Sequence, residues 1–176
     1  MLATTKKFAL AGGLLSVILL TGFNPAKAEN ELTYREIKAQ AAAKTASLFI
    51  TPVKERSNGL ITIDLVLEPG GEEANAVETE IYFDSNQLEV AEINKEKTFC
   101  QMFVEENLST PGKIKLSCLA PYPGTKEISN VYTIVFKQKN IGESWITLSP
   151  NSQVLANDGY GTNILKEAKE QKIILE

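Results

Sequence analysis

The 176-residue chain contains no histidine and only two cysteines. Without histidine there is no Ser-His-Asp or Cys-His arrangement, no imidazole acid-base group and no imidazole zinc ligand, which removes the commonest routes to hydrolytic and metal-assisted catalysis. Aromatic residues are scarce at 7%, with a single tryptophan. Basic residues are outnumbered, 18 Lys and Arg against 22 Asp and Glu, so no cationic field awaits a nucleic-acid backbone and no nucleic-acid partner is expected. What remains, 43% hydrophobic and 23% charged, suits one globular domain rather than a disordered or polytopic membrane chain.

The longest apolar run stands at the start. Lys6 and Lys7 precede residues 8–20, which carry no charge and one serine, and Ala26-Lys27-Ala28 follows. This is the three-part pattern of a secretory signal peptide, and its 13-residue run, about 20 Å as a helix, is short for a membrane span. Cleavage is expected after Ala28, giving a secreted or cell-surface protein; an uncleaved signal would be its membrane attachment, since no cysteine follows the run to take a lipid. Loss of Lys6, Lys7 and Lys27 lowers the basic count from 18 to 15 against 22 acids, a net charge of −7 over 148 residues. A chain of that length buries roughly 70% of its unfolded surface and needs no metal to hold its core. In an oxidising compartment the two cysteines, Cys100 and Cys118, read most simply as one bridge.

Residues 29–46 are rich in Ala, Glu and Lys, with Leu32, Tyr34 and Ile37 as the sizeable apolar groups. They read as a spacer or a loose helix with too small an apolar face to dock firmly. The apolar period then changes to two, in nine runs at 47–53, 60–67, 76–83, 88–93, 99–104, 113–119, 131–138, 144–148 and 171–175. Nine short strands in about 130 residues predict an all-β sandwich or barrel over residues 47–176. Ser57-Asn58-Gly59, Pro69-Gly70-Gly71, Thr110-Pro111-Gly112 and Asn140-Ile141-Gly142 supply the turn chemistry between runs. Ile61, Ile63 and Leu65 alternate with Thr62, Asp64 and Val66, and Val77, Thr79, Ile81 and Phe83 alternate with Glu78, Glu80 and Tyr82. Each strand thus has one face for a core and one for water or a partner.

The stretch AVETEIYFDSNQLEV from Ala76 resembles the strand, corner and following strand of bacterial cohesin domains, and further matches keep the family's order. They are VYTIVFKQK from Val131, Ile141-Gly142, WITLS from Trp145, and VLANDGYGTNI from Val154, which is similar to the loop before the final cohesin strand. The resemblance spans residues 47–176 and implies a nine-stranded sandwich of jelly-roll topology, related in fold to carbohydrate-binding modules. It also implies a dockerin-like protein partner, no cofactor, and a link to polysaccharide degradation. Two departures stand out: Ser85 follows Asp84 where the family usually has Pro, leaving an Asx-turn to shape the corner, and paired cysteines are not a general cohesin feature. The sequence holds no dockerin-type calcium repeat and no second cohesin copy.

Cys100 and Cys118 lie in runs that resemble the fifth and sixth cohesin strands. A bridge there closes a loop of about 18 residues, worth roughly 3 kcal/mol in the chain-entropy model, and nothing around either cysteine marks it as reactive. Asn157-Asp158-Gly159, and Glu72-Glu73 beside Asn75, invite a calcium reading but lack the spacing of a calcium loop, so a turn is expected and no metal. Glu78 and Glu80, two apart on one strand face, read as a solvated or partner-facing row rather than a hydrolytic pair. Ile146 and Leu148 are inward in their strand, which turns Trp145 and Thr147 outward. Cohesins bind dockerins on the sheet of their eighth, third, sixth and fifth strands. By that resemblance Glu78, Glu80, Tyr82, Lys115, Ser117, Trp145 and Thr147 share one partner-binding face, with Trp145 as anchor and the acidic row set against a basic partner. The alternatives are a carbohydrate-binding module stacking sugar on Trp145 with Tyr82, Tyr122 or Tyr160, and a structural surface module with no discrete ligand. No catalytic residue is expected.

Overall fold

The computed structural model describes residues 44–176; the expected signal peptide (1–28) and all but the last three residues of the expected spacer (29–46) lie outside the described residues. Twelve strands run in the order β1 Ala46–Ile50, β2 Glu55–Ser57, β3 Leu60–Glu68, β4 Ala74–Tyr82, β5 Leu88–Asn94, β6 Met102–Asn107, β7 Lys113–Leu119, β8 Ser129–Gln138, β9 Gly142–Leu148, β10 Gln153–Ala156, β11 Leu165–Lys169 and β12 Gln171–Leu175, with no helix among the described residues. Each of the nine expected runs holds a strand, and β2, β10 and β11 raise the count to twelve. The first of these, ERS, has three exposed residues. β10 occupies the first part of what reads as a loop at 154–164. β11, LKEAK, turns only Leu165 and Ala168 away from solvent, so no two-residue period marks it.

The strands form two sheets. The first runs β11-β1-β3-β8-β5 with β2 added to β3, and the second β12-β9-β4-β7-β6 with β10 added to β4. Ladders are antiparallel except β1 with β11, which is parallel. The chain crosses repeatedly between sheets, so neighbours such as β3 and β8 are distant in sequence and the two-layer packing is built mostly from long-range contacts. The expected alternation governs the core: Ile61, Ile63, Leu65 and Leu67 from β3, Val77 and Ile81 from β4, Ile114 and Leu116 from β7, and Ile134 and Phe136 from β8 are all sealed from solvent. Two contacts lock the layers together. Phe83 meets Phe136 edge to face at 5.0 Å between centroids. The hydroxyls of Thr79 and Tyr132 are 2.7 Å apart deep in the core, and Thr79 also donates to the Leu116 carbonyl. That order makes Tyr132 the donor to Thr79, and burial pushes the Tyr132 phenol far above its ordinary pKa, so the donor proton is always present.

Turn chemistry sets the ends. Asn58 and Gly59 both have positive φ (52° and 76°), the geometry of the tight hairpin joining β2 to β3. Asp84 accepts from the Asn86 amide at 2.8 Å, so an Asx-turn does shape the corner between β4 and β5 despite the serine at 85.

Candidate functional site

The outer face of the second sheet is set by register. Tyr82 on β4 lies opposite Lys113 on β7 and Thr147 on β9, Glu80 opposite Lys115, and Glu78 opposite Ser117 and Gln153. Alternation sends the intervening Val77, Thr79, Ile81, Ile114, Leu116, Cys118, Ile146 and Leu148 into the core. All seven residues expected to share a face therefore do so, carried by three strands that are not consecutive in sequence. Trp145 is 49% exposed and Tyr82 43% exposed, so the indole stands on the surface rather than in the core. Gly112 holds the rim beside Tyr82 and Lys113: at φ +77° it accepts from the Phe83 amide, and a Cβ there would sit 2.7 Å from the Phe83 carbonyl oxygen.

The electrostatics differ from the expected acidic row. Lys113 pairs with Glu80 at 3.1 Å, Lys115 with Glu78 at 3.5 Å and with Glu105 on β6 at 2.9 Å, and Lys172 on β12 with Glu143 at 2.7 Å. The Tyr82 hydroxyl also donates to Glu80. This bond, then Lys113, holds the Glu80 carboxyl below the usual carboxylate range, while Glu80 raises Lys113 and Glu105 raises Lys115. Four carboxylates face three ammonium groups, so the surface is a mosaic that largely cancels itself. Composition supplied the count of acids but not the lysines that register places opposite them.

Several residues of this face went unnoticed in the sequence. Glu105 and Asn107 join it because a bulge between Phe103 and Glu105 resets β6 against β7. β12 adds to the β9 edge, placing Lys172 opposite Trp145 and Ile174 opposite Glu143; Lys172 lies over the indole at 5.9 Å, as Lys113 does over Tyr82 at 5.4 Å. At the other end Met102, Leu119, Ala76 and Leu155 form one row across β6, β7, β4 and β10.

Cys100 and Cys118 are joined in a disulfide, their Cα atoms 5.7 Å apart. It ties the segment just before β6 to β7 and so fixes the edge of this sheet. In the segment weighed for calcium, where a turn was expected, Asp158 shapes its own turn: burial opposes its ionisation, but hydrogen bonds from the Thr162 hydroxyl and the Tyr160 amide outweigh it and lower its pKa. Asn75 donates to Asn157 at 3.0 Å and Glu73 pairs with Lys126 at 3.4 Å. No group of three or more metal-ligating side chains occurs among the described residues. A cleft at 83–90 with 108–113 reaches the rim of this face at Lys113, and one at 148–152 with 163–168 lies off it; neither is lined by any of the seven expected residues.

Two packed, mostly antiparallel sheets define a β-sandwich module. No family model matches the sequence, and no curated protein matches it. Solved structures do match. The sixth cohesin of scaffoldin B from Acetivibrio cellulolyticus, in complex with a Cel5 dockerin, has a TM-score of 0.64 at 13% identity over 74% of this chain and 99% of that one. A type I cohesin-dockerin complex from Clostridium thermocellum gives 0.62 at 18% identity over 75% and 94%. A non-cellulosomal cohesin from the archaeon Archaeoglobus fulgidus gives 0.59 at 12% identity over 75% and 91%. The described residues have the fold of a cohesin module.

Proposed function

We propose that this protein is a secreted, non-catalytic binding module that takes a dockerin-like protein on the outer face of β4, β7 and β9. The carrying observation is the gathering of Glu78, Glu80, Tyr82, Lys115, Ser117, Trp145 and Thr147 onto one flat face around a half-exposed tryptophan, in a fold shared with modules crystallised with dockerins. Exposed aromatics on flat, self-neutral surfaces make good interface anchors, because burying them gains apolar area without stripping water from an unpaired charge. Export rests on the leader pattern of residues 1–28. A sugar-stacking role is less well supported: Lys113 and Lys172 lie over the rings of Tyr82 and Trp145, where a pyranose face would have to stack.

Calorimetric titration against a panel of recombinant dockerin modules tests the reading. At least one binds, and Trp145→Ala weakens it at least tenfold, about 1.4 kcal/mol, while the melting temperature holds. Unchanged affinity in that variant, or binding to polysaccharide and to no dockerin, defeats it.

A further inference from the structure

The face carries paired charges at its centre and exposed apolar side chains toward two opposite ends. At one end Met102 and Leu119, 59% and 39% exposed, face each other across β6 and β7, and Leu119 lies opposite Ala76, which lies opposite Leu155. By alternation this row lies on the opposite side of the sheet from Val77 and Val154, which are in the core; Ala76 is covered at 7% exposure, Leu155 is half-buried, and Met102 and Leu119 supply the exposed apolar surface. At the other end β12 places Ile174, 47% exposed, diagonal to Trp145 and within side-chain reach of it, with the Lys172–Glu143 ion pair closed on itself along the other diagonal. β12 is a firm platform: Ile173 and Leu175 are buried in the core, Arg56 donates to the Ile174 carbonyl, and Gln138 to that of Glu176 at 2.7 Å. Six residue steps on β4 from Ala76 to Tyr82, and two more on β9 from Thr147 to Trp145, separate the two ends by about 26 Å along the strands at roughly 3.3 Å per step. Between them the carboxylates and lysines are already paired with one another.

We infer that docking uses two apolar anchors about 26 Å apart along the strands, Trp145 with Ile174 and Met102 with Leu119 and Leu155, joined by a charge-silent strip. The partner is a protein surface with apolar ridges at matching separation and little net charge between them. A strongly basic partner gains nothing here, because each face carboxylate it reached is already held by a lysine and would have to break that pair. The inference rests on the docking face proposed above and deepens it by naming the partner's chemistry.

The test is the same dockerin panel, titrated with Leu119→Asp, Ile174→Asp, the double variant, and Lys137→Glu on the opposite sheet as control; all three positions are solvent-exposed, and melting curves verify the fold. Each anchor variant weakens binding at least tenfold. The double variant weakens it at least a hundredfold, since sites so far apart add independently, and the control changes nothing. Raising NaCl from 50 to 500 mM alters affinity less than about threefold, as expected for an interface without net charge complementarity. If either anchor variant binds as wild type, or salt costs tenfold or more, the two-anchor inference is overturned while Trp145→Ala still decides the docking face. If no dockerin binds, both fall together.

Discussion

The hydroxyl pair behind the docking face gives an asymmetric prediction. Tyr132 donates to Thr79, and Thr79 donates to the Leu116 carbonyl; both side chains are fully buried. In Tyr132→Phe the Thr79 hydroxyl keeps its donation and loses only an incoming proton, which costs about 1 kcal/mol. In Thr79→Val the Tyr132 hydroxyl is left buried with no acceptor, and a buried unsatisfied donor costs about 1–3 kcal/mol on top of the lost donation to Leu116, so roughly 2–4 kcal/mol in all. Removing both polar atoms strands no donor, so the double variant falls short of the sum of the singles by about 1–2 kcal/mol. Urea unfolding followed by circular dichroism and by the emission of the lone Trp145 measures all three, and each kcal/mol shifts the melting temperature by about 3 °C in a domain of this size. Equal costs for the two single variants, or strict additivity in the double, would refute the donor order and with it the view that this pair fastens β4 to the opposite sheet.

The other expectations concern the edge and the charges of the same sheet. The Cys100–Cys118 disulfide leaves no thiol to label under native, non-reducing conditions, and the paired Cys→Ala variant loses roughly 3 kcal/mol of stability by the chain-entropy estimate for an 18-residue separation; two reactive thiols, or no loss, would contradict this. Glu80 has a carboxyl pKa lowered by Tyr82 and Lys113, so its contribution is complete above the ordinary carboxylate range and is lost only as pH falls through its depressed folded value. Stability and dockerin affinity therefore stay level from pH 8 to pH 5 and decline in strongly acid solution, and Glu80→Gln removes part of that acid dependence; a decline already between pH 7 and 5 would show that another group governs the face.

Much of this fold was legible because alternation is a one-dimensional signal. Val77, Thr79 and Ile81 against Glu78, Glu80 and Tyr82 fixed which side of β4 meets the core, and the same parity turned Trp145 outward. The three missed strands lack that signal for physical reasons: β2 is too short to alternate, β10 sits in a turn-rich segment, and β11 is a polar edge strand whose partner is parallel and distant in sequence. Pairing was less legible still. Lys115 was visible as an outward residue, yet the neutralisation of Glu80 by Lys113 and of Glu78 by Lys115 depends on the register of β4 with β7, and Glu105 enters only through a bulge. The 171–175 run was readable as a strand, but only tertiary structure places it beside β9, where Lys172 and Ile174 widen the face around Trp145.

Because Trp145 is the only tryptophan in the chain, its fluorescence reports directly on the proposed interface. Titration of the intact protein with a bound dockerin that itself lacks tryptophan is expected to shift the emission to the blue and to protect the indole from acrylamide, with the same saturation curve that calorimetry gives. Calorimetric binding with no change in Trp145 emission or quenching would place the partner elsewhere on the sandwich and contradict the docking face.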